Sequence, residues 1–173
     1  MKFKLLKKSI ISVLIVLFFT FSYQSHSESL NDYAENKIVD HVFRGTAFSE
    51  SSPGSYYVGL HTTSCTDAAL GTEVSGAGYS RIAIARSQAA WNGTHGTNSG
   101  PSSGTNGTIS NNAIIQYGSP TANWGGVTSF SVSDAITGGN PIVCTDLTTA
   151  KTINNGDAAP SFAAGALTIQ IDD

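Results

Sequence analysis

The chain has little charge. Asp, Glu, Lys and Arg make up 12% of its 173 residues, about half the usual share of roughly 25%. Basic residues are scarcer still: four of the nine, Lys2, Lys4, Lys7 and Lys8, crowd the first eight positions. Beyond residue 27, only Lys37, Arg44, Arg81, Arg86 and Lys151 stand against all twelve acids, a net charge of −7. Such a balance argues against nucleic acid or an anionic membrane surface as partner, since both require a basic face. With two cysteines the chain is no disulfide-dense mini-protein, and its composition excludes a coiled coil or helical bundle. Catalytic spacings are missing too. There is no His-Glu-x-x-His, no Gly-x-Ser-x-Gly and no Cys-x-x-Cys. Two isolated cysteines without a nearby His pair lack zinc spacing. Nothing in the sequence calls for a metal or a cofactor, and no internal repeat is evident.

The basic start leads into an apolar run over residues 10–21, broken only by Ser12 and Thr20. The run is shorter than the roughly 20 residues a membrane span needs, and it fits the apolar core of a secretion signal. Small residues at Ser25 and Ser27 place cleavage after Ser27, so residues 1–27 read as a signal peptide. The alternative is an uncleaved membrane anchor. No Cys follows the run, so it is not a lipoprotein signal. Residues 28–173 then suit one domain, with no membrane contact after cleavage. Ser, Thr, Asn and Gly supply 64 of those 146 residues, a surface that is polar without being charged. Cys65 and Cys144 remain. In an oxidising compartment an even count favours one bridge, worth about 4–5 kcal/mol by chain-entropy bookkeeping for so long a loop. The alternative is two buried, unpaired cysteines.

One helix is expected over residues 30–44. Ser29 can cap it with Asp32 three residues on, Leu30, Ala34, Ile38 and Val42 form one apolar stripe, and Gly45 suits a left-handed stop. The stripe should dock on the sheet. The rest reads as strands at residues 56–60, 79–86, 113–117, 127–132, 141–147 and 167–171, with shorter pieces near Thr152 and Phe162. Turn signals stand at Thr137-Gly-Gly-Asn and Asn155-Gly-Asp. Strands without helical crossovers predict a mainly β fold: an antiparallel β-sandwich, jelly-roll-like, with one N-terminal α-helix. Residues 92–112 form a long polar loop, and loops of that length are functional or mobile.

The candidate sites are sparse. Gly76-Ala-Gly-Tyr-Ser-Arg81 precedes a strand, so it is a turn and not a phosphate cradle. Glu73, Asp134, Asp146 and Asp157 lie beside turns, where a carboxylate also serves as a backbone hydrogen-bond acceptor. A glycoside hydrolase would need two of them held across a sugar. His41, His61 and His95 are scattered and read as surface or capping groups. Trp91, Asn92 and His95 border or lie in the polar loop and are the candidate ligand contacts, because an aromatic face beside polar groups can stack on a sugar ring. Trp124 is a weaker candidate of the same kind. Asn92-Gly-Thr and Asn106-Gly-Thr match the glycosylation triplet.

An ordered set of segments carries a more specific signal. Residues 31–48 (Asn-Asp-Tyr-Ala-Glu-Asn-Lys-Ile-Val-Asp-His-Val-Phe-Arg-Gly-Thr-Ala-Phe) open it. Tyr57-Val-Gly-Leu-His-Thr, Gly71-Thr-Glu-Val-Ser-Gly-Ala-Gly-Tyr-Ser-Arg, Trp124-Gly-Gly-Val-Thr, Asp134-Ala and Thr137-Gly-Gly-Asn follow. Residues 147–152, Gly156-Asp and Phe162-Ala-Ala-Gly-Ala-Leu-Thr-Ile close it. In this order the chain, over about residues 30–172, resembles a family of small phage tail proteins often labelled tail fibre proteins. The resemblance implies a virion structural part without enzymatic role, an N-terminal helix ahead of a β-sandwich, and self-association or contact with other tail subunits. The signal-like leader and the two cysteines depart from that pattern, as does Ser131-Val-Ser133, where a more apolar strand end is expected. They keep open a secreted bacterial adhesin or extracellular filament subunit, with a cell-surface glycan as possible ligand. A secreted glycan hydrolase is the third reading.

Overall fold

The computed structural model describes residues 20–21, 30–47, 54–92 and 107–170. The proposed leader lies outside them apart from Thr20 and Phe21, as do His95 and most of the long polar loop. Strands β1 to β10 run Thr20–Phe21, Ser55–His61, Ile82–Ala85, Trp91–Asn92, Ile109–Asn111, Ile115–Gln116, Gly125–Ser133, Pro141–Ile153, Ser161–Phe162 and Thr168–Ile169, with helix α1 at Asp32–Arg44 between β1 and β2. The fold is mainly β with one helix among the described residues, as the pattern implied. The strands form a four-stranded sheet in the order β3-β2-β7-β8 and two small three-stranded sheets, β1-β9-β6 and β10-β5-β4. Every pairing is antiparallel except β1 with β9.

Strand β7 is the spine of the large sheet. It pairs with β2 through Tyr57↔Ser133 to His61↔Ser129, and with β8 along most of its length. Residues 127–132 suggest simple alternation, but both faces are covered. Phe130 and Val132 enter the apolar core, while Ser129, Ser131 and Ser133 are equally buried on the other face. A register irregularity between Val127 and Ser129 lets Val127 join the core side. Strand β8 is longer than its apolar segment suggests, since it continues through the polar stretch to Ile153. Strand β3 is shorter than the alternation over 79–86, because Tyr79 and Arg81 turn away to a carboxylate described below. In β10, Thr168 is buried along with Leu167 and Ile169, so the closing strand has no solvent face there.

The core joins the sheets. Val58, Leu60, Ile84, Val127, Phe130, Val132 and Val143 from the large sheet pack with Ile115, Phe162, Leu167 and Ile169 from the small ones. Phe130 and Phe162 meet edge to face, with centroids 5.5 Å apart. Tyr79, Tyr117 and Trp124 form a second aromatic group, Trp124 standing edge-on to both tyrosines. Trp124 is buried, and its indole N–H donates to the Ala77 carbonyl at 3.1 Å. It is a packing residue, not a surface for sugar.

The helix departs from its expected pose. It begins at Asp32 with Asn31 as N-cap, two residues later than a Ser29 cap would give. It ends as expected on Gly45 at φ 67°, and the Thr46 N–H returns to the Asp40 carbonyl. Acids Asp32 and Glu35 sit in its first turn, with His41 and Arg44 in its last, in accord with the helix dipole. Only its first half docks. Leu30 packs on the core and Ala34 is buried, but Val39, Val42 and Phe43 are 50%, 62% and 81% exposed. Val42 therefore leaves the stripe that the four-residue spacing drew.

Candidate functional site

The densest polar chemistry lies on the serine face of the large sheet, under residues 62–81. Glu73 is set opposite His61 by an isolated bridge. Its carboxylate accepts from the Tyr79 hydroxyl at 2.8 Å and from Arg81 through Nε at 2.7 Å and Nη2 at 2.8 Å. The Arg81 fork thus grips both carboxylate oxygens. Its remaining Nη1 donates to the Ala135 and Gly138 carbonyls, each at 2.8 Å. Burial works against charge on Glu73, but the hydrogen bonds from Arg81 and Tyr79 outweigh it and hold the carboxyl below its ordinary value. The ion pair raises the Arg81 guanidinium, and burial raises the Tyr79 phenol.

His61 extends the network. Its Nδ1 lies 2.9 Å from the Gly71 carbonyl, which can only accept, so Nδ1 carries the proton. Nε2 therefore accepts from the Ser131 hydroxyl at 2.8 Å. Burial lowers the imidazole's pKa, and the neutral tautomer results. This contact has the geometry of a nucleophile and its base. Both side chains are fully buried, however, and no substrate atom can reach the serine. It is an internal strut.

The other acids are also bound to the fold. Asp134 is buried and accepts from the Asn140 backbone N–H at 2.7 Å and its side-chain amide at 2.8 Å. It thereby closes the turn carrying Gly138 and Gly139 at φ 60° and 74°. Asp157 accepts from the Asn154 N–H at 2.7 Å, and Asp146 lies exposed on β8. The arrangement does not bring Glu73 and Asp134 together as two free carboxylates. Arg81 and the 134–140 turn occupy them.

Of the candidate ligand contacts, Trp91 and Asn92 form β4 and are half-buried, paired with Asn111 and Ser110. Trp91 packs against the core. A disulfide joins Cys65 to Cys144, with Cα atoms 5.9 Å apart. It ties the loop after β2 to β8. The carboxylates of Asp32, Glu35 and Asp67 lie within 4.8 Å of one another, all exposed, where that loop meets the start of α1. Hard oxygen donors of this kind suit calcium or magnesium, although the positive end of the helix accounts for Asp32 and Glu35 without one. Sequence reading missed this grouping, since Asp67 joins it only through the loop's return to α1. It also missed the Glu73–Arg81 grip. The signal available there was a lone arginine, on the same strand face as Tyr79, in a chain almost free of basic residues.

No curated protein matches the chain. A family model described as Podophage GP4 fiber I protein gp80 matches residues 29–170. That span takes in the helix, the large sheet and nearly all of the two small ones, and the chain belongs to this family of phage fibre proteins.

Proposed function

We propose that this protein is a non-enzymatic structural part of a phage tail fibre, acting in assembly or surface attachment. The family match over residues 29–170 carries the reading. The polar groups support it, because the His61–Ser131 contact is fully buried and Glu73 is gripped by Arg81 and Tyr79, so both are committed to structure. The exposed Val39, Val42 and Phe43 of α1 favour contact with other tail subunits or with a second copy. A secreted adhesin or filament subunit is the second reading. The Cys65–Cys144 bridge favours it, since such bonds persist in oxidising surroundings. A glycan ligand beside Trp91 and Asn92 would belong to either reading.

The test is the intact mass of the native protein, taken without reductant, from purified virions and separately from the secreted fraction. Recovery in virions alongside other tail proteins is the expected result. Recovery only from the secreted fraction, shortened by about the first 27 residues as a cleaved signal would require, would transfer the protein to the adhesin reading.

A further inference from the structure

The start of α1 is held from two sides. On one side is β8: the Asn31 N–H donates to the Ile142 carbonyl at 3.1 Å, and Leu30 forms a bridge with Val143. On the other is the turn at residues 66–69. The Asn31 side-chain amide donates to the Asp67 carbonyl at 2.7 Å and to that of Thr66 at 3.3 Å, and the Asp32 N–H points to the same Asp67 oxygen at 3.4 Å. The two sides are stapled to each other by one bond. Cys144 follows Val143 directly, and Cys65 precedes Thr66. The base of the loop has its own ties, from Ser129 to the Thr63 carbonyl and between Thr62 and Thr72. Its tip has the disulfide.

Against this clamp stands a repulsion. Docking brings Asp32 and Glu35 within 4.8 Å of Asp67, and like charges so close oppose the contact. Within the helix only Ala34 is fully buried, so apart from Leu30 and the Asn31 tie to β8 the apolar surface that docks is small. We propose that the Cys65–Cys144 disulfide is the lock of this clamp: oxidised, it holds α1 on the sheet, and reduced, it frees the helix while the sheet stays folded. A dithiol reductant performs the step by exchange. Its thiolate attacks one cysteine sulfur, the S–S bond breaks, and the second reductant thiol displaces the mixed disulfide. The protein gains two electrons and two protons as two thiols, and the reductant leaves as a disulfide. Release exposes Leu30 and Ala34 in addition to Val39, Val42 and Phe43. A reducing compartment thus favours the free helix and an oxidising one the docked helix. The inference stands on this geometry and not on the fibre reading.

Hydrogen exchange read by mass spectrometry, at labelling times of seconds, tests it on the oxidised chain, the chain reduced with dithiothreitol, and Cys144→Ser. The expected result is exchange over residues 32–40 at least about ten-fold faster in both reduced forms, with residues 55–61 and 125–133 still protected. Asn31→Ala in the oxidised chain, which removes the side-chain bonds between turn and helix but leaves the disulfide, should loosen the same segment. A helix equally protected with and without the bond would overturn the proposal. So would loss of protection spread evenly over the sheet, or an Asn31→Ala chain as protected as the parent.

Discussion

A single arginine organises the serine face. Arg81 is 3% exposed at its side chain, with Glu73 at 33%, so the pair is sheltered without being sealed. Removing the guanidinium leaves a half-buried carboxylate and two carbonyls without their donor. Arg81→Met should cost about 2–4 kcal/mol, somewhat under the full range for a broken buried pair because Glu73 keeps some water. Glu73→Gln should cost less, since the amide oxygen still accepts one Arg81 bond. Urea unfolding of both variants checks the order. Gly59 lies beneath the same network. A Cβ there would come within 3.1 Å of the Ser131 hydroxyl and 3.3 Å of Arg81 Nε, so Gly59→Ala should destabilise by about 1–3 kcal/mol through overpacking. The network also sets a pH response. His61 has a depressed pKa in the fold, so the unfolded chain binds its proton first and stability falls as pH drops below the ordinary value of 6.5. Glu73 is depressed as well, and its contribution is lost on further acidification through and below the ordinary 4.5. Melting temperature should therefore decline from pH 7 to pH 5, and His61→Gln should flatten that part of the curve. The sequence marks Glu73, the Tyr79/Arg81 face and the odd serines one by one, but not their meeting. Glu73 and Arg81 are eight residues apart across a turn, and Ser131 and Ser133 look out of place in a strand until the polar cover above them is seen.

At the scale of the element, the helix was legible in existence and in its stop, because periodicity and Gly45 are local signals. Its docking was not. The stripe Leu30/Ala34/Ile38/Val42 is a pattern of one face, and nothing local says how much of that face meets the sheet. The structure gives a graded answer, with Ala34 at 1% exposed, Ile38 half-buried and Val42 in solvent. Substitution should follow the same gradient. Ala34→Asp buries an unpaired charge and should cost several kcal/mol, whereas Ile38→Asp should cost about 1 kcal/mol or less, because its carboxylate can turn to water. Equal losses in thermal melts of the two variants would mean that the helix sits flat on the sheet. The strands divide in the same way. The segment of β2 is visible as an apolar run and that of β7 as an alternation, but β8 continues from Leu147 to Ile153 through Thr, Ala and Lys, where only pairing with β7 keeps it extended.

At the scale of the molecule, the question is what joins the small sheets to the large one. The sequence gives the strands but not their partners, since pairing is set by contacts between distant residues. The junction runs through Phe130 and Phe162, 2% exposed or less, in edge-to-face contact. Phe162 lies in β9, which pairs with β6, and Tyr117 just beyond β6 donates its hydroxyl to the Val58 carbonyl of β2 at 3.2 Å. The ring pair is thus the apolar part of a seam that also has a hydrogen bond. Truncating either ring opens a cavity between sheets, so Phe130→Ala and Phe162→Ala should each cost about 3–5 kcal/mol. The informative quantity is their interaction. If the rings hold the sheets together, the milder Phe130→Leu and Phe162→Leu pair should be non-additive by about 0.5–1.5 kcal/mol, the value of an aromatic contact beyond its buried area. A double-mutant cycle in urea measures it. Strict additivity would mean that each ring packs in its own layer, and that the Tyr117 bond and the remaining core carry the seam instead.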